Sequence, residues 1–242
     1  MRNVIRSLSL IVSIACALFA QTTPTAKPPV RTPAATTAPS GPTAIIHTSV
    51  GDMRCSLFEK QAPIGVANFI GLAEGTKDWV NPISHGKKHG VPLYDGTIFH
   101  RVIPDFMIQG GDPAGTGAGD PGYKFRNEVA PDLKFDRPGR LAYANSGPDT
   151  NGSQFFITED VAHSAHLTGH YTIFGQCDPG SVELVKKIAR MTRDPSNDKP
   201  FHPVRITHIE IVRGGAAAAR PATTKPATKP RPTSGAKPQT QN

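Results

Sequence analysis

Outside residues 44–212 this chain of 242 residues has no Asp or Glu at all. It has three Cys and one Trp, and its longest apolar stretch is too short to span a bilayer comfortably. All 19 acids lie between Ala44 and Val212, where they meet 17 Lys and Arg, a net charge of −2. The overall +8 therefore belongs to the two ends, which carry the other ten basic residues. A middle segment without surplus positive charge has no electrostatic footprint for nucleic acid, and no nucleic-acid partner is expected.

What is present at the N-terminus is a basic start (Arg2, Arg6) followed by an apolar run from Leu8 to Ala20. Residues 1–20 read as a secretory signal peptide, which places the protein in the periplasm or cell envelope. Ala15-Cys16-Ala17 fits a small-x-small cleavage site, and Leu18-Phe19-Ala20 fits less well. Cys16 also resembles a lipoprotein acceptor but lacks Leu three residues before it, so lipidation is the less favoured alternative. An uncleaved anchor is a third. Without the leader, Cys55 and Cys177 remain. In an exported protein they could pair, but as strand residues they read more simply as two small buried hydrophobes.

Residues 21–43 are rich in Thr, Pro and Ala and form a solvated, disordered linker. Residues 44–212 are the folded domain. After Arg213 the composition is Ala, Pro, Thr and Lys, a disordered basic tail over 213–242 that either solubilises the chain or weakly touches anionic envelope polymers.

Within the domain, Val50-Gly51-Asp52 joins two alternating runs as a hairpin. Val66, Phe69, Ile70 and Ala73 recur at helical spacing after Pro63, with Gly75 as the stop. A long polar loop follows over residues 76–96, with His85 and His89 read as solvated. Gly117-x-Gly-x-x-Gly122 has the spacing of a dinucleotide fingerprint. Pro121 interrupts it and no helix follows, so it reads as a flexible glycine loop. Val182, Val185, Ile188 and Ala189 mark a second helix opened by Gly180-Ser181, and residues 204–212 alternate as a closing strand.

Two stretches carry the chemistry. Residues 99–112 (Phe-His-Arg-Val-Ile-Pro-Asp-Phe-Met-Ile-Gln-Gly-Gly-Asp) read as two short strands around a Pro-Asp corner. Alternation puts Met107 and Gln109 on one face with Ile108 behind, and Arg101 on one face with Phe99 and Ile103. Residues 141–158 end one strand at Ala144-Asn145 and start another at Gln154, with Gln154 and Phe156 on one face. An apolar pocket with an arginine and a few carboxamides has the make-up of a small recognition site. His163, His166 and His170 have a spacing that suits zinc. The Leu167-Thr-Gly169 turn between them, and the lack of a nearby carboxylate or Cys, argue against a metal.

Together Phe99-His-Arg-Val-Ile-Pro-x-Phe-Met-x-Gln-Gly-Gly-Asp112 and Ala144-Asn-x-Gly-Pro-x-Thr-Asn-Gly-Ser-Gln-Phe-Phe156, in that order, resemble the cyclophilin family of peptidyl-prolyl cis-trans isomerases. The resemblance covers about residues 44–212 and has bacterial features. It implies a mainly β fold, a closed eight-stranded antiparallel barrel capped by two α-helices. It implies Arg101 as the catalytic residue, with Phe106, Met107, Gln109, Ala144, Asn145, Gln154, Phe156, His166, Leu167 and Tyr171 lining the substrate site and Gln154 supporting Arg101. His166 stands where eukaryotic members have a Trp that contacts cyclosporin, Tyr171 where they have a His, and Asp105 replaces a Gly at the hairpin corner. The implied chemistry needs no metal and no cofactor. Its partners would be proline-containing segments of exported proteins, bound by a monomer.

Overall fold

The computed structural model describes residues 41–213. The expected leader with Cys16, nearly all of the linker and nearly all of the tail lie outside the described residues. In chain order the elements are β1 (Thr43–Thr48), β2 (Gly51–Leu57), α1 (Pro63–Glu74), β3 (Trp79–Val80), β4 (Lys87–Lys88), β5 (Arg101–Ile103) and β6 (Met107–Gly110). There follow β7 (Arg140–Tyr143), β8 (Phe155–Thr158), a 3-10 turn (Ala165–Leu167), β9 (Ile173–Cys177), α2 (Pro179–Ala189) and β10 (Ile206–Val212). The loop expected to be irregular over residues 76–96 thus contains a small hairpin, β3 against β4.

The main sheet is antiparallel and mainly β as expected, in the order β10-β1-β2-β9-β7-β8-β6-β5. It curls into a half-barrel and does not close, which corrects the expected closed barrel. Between its two edges, Phe99 donates its N–H to Val204 O at 3.0 Å and Ile206 to Thr97 O at 2.8 Å. The pairing there shrinks to one isolated bridge, Ile98 to Arg205. The segment before β10 contains Pro195, Pro200 and Pro203, and proline has no N–H with which to continue a ladder.

Burial follows the apolar spacing in α1, where Val66, Phe69 and Ala73 are inside. Its N-cap, Ala62, has no side chain to offer, and a distant residue does that work. Glu128 accepts from the N–H groups of Ile64 (3.0 Å) and Gly65 (2.7 Å), a carboxylate at the positive end of the helix. Gly75 ends the helix in the left-handed region at φ 73°. In α2 the cap is Asp178, two residues before the expected Gly180-Ser181 opening, and it accepts from Ser181 N–H at 2.7 Å.

The core gathers around Phe69, whose ring centroid lies 5.1 Å from Tyr94 and from Phe174 and 5.6 Å edge-on from Phe155. Beneath it Asn68 is buried but satisfied, bonded to Tyr143 Oη, Gly152 O and Tyr123 Oη. Strict alternation fails in β10, where both Ile206 and Ile209 are buried. The register against β1 shifts between His47 and Thr48, a bulge that turns the strand by one residue. Cys55 and Cys177 face each other across β2 and β9 and form a disulfide, so the reading of two unpaired hydrophobes is corrected.

Candidate active site

A second, smaller apolar cluster lies apart from the main core. Met107, Phe135, Ala142, Phe156, Leu167 and Ile173 are buried in it, and Ile103, Phe106, Ala144 and Tyr171 are packed half-buried against it. The register explains the grouping. In β6 Met107 and Gln109 face this side while Ile108 joins the main core, and in β8 Phe156 does so while Phe155 and Ile157 turn inward. Phe135 stacks under Phe156 at 5.8 Å and Tyr171 stands edge-on to it at 5.6 Å. His166 lies over Phe106 at 6.4 Å, nearly parallel. The result is a floor of Phe156 and Met107 with Phe106, Leu167, His166 and Tyr171 around it.

This floor continues through Ala144 and Asn145 into a polar cleft of about 650 Å³, lined among others by Arg101, Gln109 and Gln154. A second hollow, on the other side of Asn145, is bordered by His166, Leu167, His170 and Tyr171. Every residue expected in the site is therefore found on one of these two surfaces or in the apolar floor between them. One expected contact is absent. Gln154 does not support Arg101. It donates to Gly117 O (3.0 Å) and Gly119 O (2.8 Å) and accepts from Gln109 Nε2 (2.9 Å). Gln109 is in turn the ladder partner of Arg101.

Arg101 is 41% exposed. Its nearest acid is Asp198, 3.6 Å from Nε, too long for a hydrogen bond. Asp198 is itself gripped by Arg193 at 3.1 Å. Phe99 does not share the Arg101 face as alternation implied. It is fully buried in the main core, because regular strand geometry begins only at Arg101. His100, between them, is buried with neither ring nitrogen hydrogen-bonded. Burial pushes its imidazole below the ordinary range, against the pull of Asp112.

The glycine loop is held in place. Asp112 is wholly buried and its carboxylate accepts from the N–H groups of Ala114, Thr116, Gly117 and Gly119. Burial works to raise the Asp112 carboxyl, but these four donors outweigh it and the group sits below the usual carboxylate range. A Cβ on Gly119 would come within 2.0 Å of Asp112 Oδ1, so the tight wrap requires glycine there. Asp112 thus fixes the loop whose carbonyls fix Gln154, and Gln154 fixes Gln109.

The sequence reading missed Phe135, Asp198 and Lys199. Phe135 lies in a Pro- and Gly-flanked connection outside the two motifs, where Leu133 and Phe135 as an apolar pair were the available signal. Asp198 and Lys199 come from a loop nearly 100 positions after Arg101, and nothing local marks them. Of the three clustered histidines, His163 faces Asp160 at 3.7 Å, while His166 and His170 border the second hollow.

The fold and site define a curled antiparallel sheet carrying a half-exposed arginine in a polar cleft that shares Ala144 with an apolar floor. Comparison with known proteins gives the family. The model of the cyclophilin type peptidyl-prolyl cis-trans isomerases matches residues 43–211, and the chain belongs to that family of enzymes. It is 53% identical over 170 residues to peptidyl-prolyl cis-trans isomerase A of Mycobacterium tuberculosis, covering 70% of this chain and 91% of that one. To peptidyl-prolyl cis-trans isomerase B of Streptomyces anulatus it is 48% identical, covering 69% and 95%. A crystal structure of a Cryptosporidium parvum cyclophilin type isomerase, obtained in the presence of the dipeptide Ala-Pro, aligns with a TM-score of 0.57 at 34% identity. That alignment covers 71% of this chain and 99% of the other.

Proposed function

We propose that this enzyme accelerates rotation about X-Pro bonds in exported polypeptides, with Arg101 as the catalytic group. The carrying observation is the position of Arg101. It lines a cleft that shares Ala144 with the apolar floor, and among the described residues its guanidinium makes no hydrogen bond.

The uncatalysed barrier is about 18–20 kcal/mol because resonance gives the C–N bond partial double-bond character. Twisting the bond breaks conjugation and localises a lone pair on the prolyl nitrogen. A guanidinium N–H beside that nitrogen has an acceptor only in the twisted state, so it stabilises the transition state and neither planar isomer. Phe106, Met107, Phe156 and Leu167 seat the pyrrolidine ring, with His166 and Tyr171 at the rim. Gln109 and Asn145 hold the flanking backbone, and Gln154 holds Gln109. Asp198 keeps the charge of Arg101 in place without consuming its donors.

Export is supported by the leader-like N-terminus and by the Cys55–Cys177 disulfide, since such bonds persist in oxidising compartments. The enzyme acts there as a monomer, and its basic tail either solubilises the chain or weakly touches anionic envelope polymers.

A proline-peptide isomerisation assay tests the assignment. Arg101→Ala is expected to lower kcat/KM by about 100-fold, the usual effect of removing one transition-state donor. Wild-type turnover in a folded Arg101→Ala variant would refute it.

A further inference from the structure

The corner that precedes Phe106 is built unfavourably. Phe106 donates its N–H to Ile103 O at 3.2 Å, closing a four-residue turn with Pro104 second and Asp105 third. Asp105 has φ 61°, in the left-handed region that this turn position reserves for glycine. An aspartate stays there only if its surroundings hold it.

Two residues do so. The Asp105 N–H donates to Glu159 Oε2 at 3.0 Å, and the N–H of Glu159 donates to Phe106 O at 2.8 Å. Glu159 therefore grips the 105–106 segment by its side chain and its backbone together. Its own side chain is only 2% exposed, so the carboxylate needs a counter-charge. Arg190, at the end of α2, supplies it. The Arg190 Nη1 bonds Glu159 Oε1, and Nη2 bonds Asp105 Oδ1 at 2.7 Å. The guanidinium spans the acid that grips the corner and the acid that forms it.

We propose that Arg190 is a positioning residue for the isomerase reaction. Acting through Glu159 and Asp105, it sets the place of Phe106 over the proline seat, and so ties the end of α2 to substrate affinity. The inference rests on Phe106 seating the proline. Phe106 touches the ring in planar and twisted states alike, so losing its placement weakens both equally and raises KM with little change in kcat.

The test is isomerisation kinetics of the full chain for wild type, Arg190→Met, Arg190→Lys, Phe106→Ala and Phe106→Ala with Arg190→Met. Lys186→Ala, an exposed cation on the same helix, serves as the control. Arg190→Met is expected to raise KM about fivefold, with kcat within about twofold of wild type. Arg190→Lys recovers most of that loss, and Lys186→Ala changes nothing. In the Phe106→Ala background Arg190→Met adds less than about twofold, because the side chain it positions is gone. A wild-type KM for Arg190→Met, or an equal effect with and without Phe106, overturns the inference. If Arg190→Met does not fold, Arg190→Gln takes its place, and a wild-type KM for that uncharged variant at reduced thermal stability assigns Arg190 to folding alone. A Phe106→Ala variant with unchanged kinetics would instead sink the seat assignment on which the inference rests.

Discussion

His100 is the one buried titratable side chain among the described residues whose ring nitrogens have no partner, and it sits next to Arg101 in sequence. Burial lowers its pKa in the folded protein, with Asp112 and the nearby Ile98 backbone pulling it up and Lys199 and Arg101 pushing it further down. The unfolded chain, with an imidazole near pH 6.5, therefore takes up a proton first as pH falls. Stability is unaffected above that pH and declines below it, until the folded-state value is reached. Urea unfolding at a series of pH values should show wild type losing stability relative to His100→Leu below about pH 6.5. A constant difference between the two across that window would mean that the ring is already paired or charged in the folded state. At this scale the sequence was readable where side chains alternate within a regular strand, as for Met107, Gln109 and Phe156. It misled at Phe99, two residues before the strand begins, and at Gln154, whose partners Gly117 and Gly119 come from a loop 35 and more positions away.

Among the elements, β2 and β9 are joined by only three residue pairs, one of them the disulfide-bonded Cys55 and Cys177. The bond closes a segment of 122 residues, and the cross-link restricts the unfolded chain most when that segment is long. Reducing it, or replacing both cysteines by Ala, should lower unfolding stability by about 3–5 kcal/mol in urea. No change on reduction would show that the pair contributes nothing to the fold. The helices were legible because their apolar spacing and their Pro and Gly boundaries are local. The cap of α1 was not, since Glu128 lies more than 60 positions from the N–H groups it receives. The bulge of β10 was equally hidden. It is set by pairing with β1, and alternation read along one strand contains no information about its partner.

On the scale of the whole molecule, the two motifs that carry the family resemblance also form the neighbouring, hydrogen-bonded strands of the site. That is why function was readable from residues spread over about a third of the domain. Closure of the barrel was not readable in the same way, because it depends on how prolines between α2 and β10 interrupt one edge. The proposed export belongs to the full chain. Expressed with its leader in a bacterial host, the protein should be recovered from the envelope fraction at a mass lacking the N-terminal leader, as mass spectrometry would read directly. Full-length protein in the cytoplasm would contradict the export reading. The central claim, that the Arg101 charge acts on the twisted bond alone, is best tested by nuclear magnetic resonance on a proline peptide bound to wild type and to Arg101→Ala. Equal peptide affinity for the two proteins is expected, with an on-enzyme cis/trans exchange rate about 100-fold lower in the variant. Affinity lost in step with exchange would show that Arg101 merely holds the ground state, and the mechanism would be wrong.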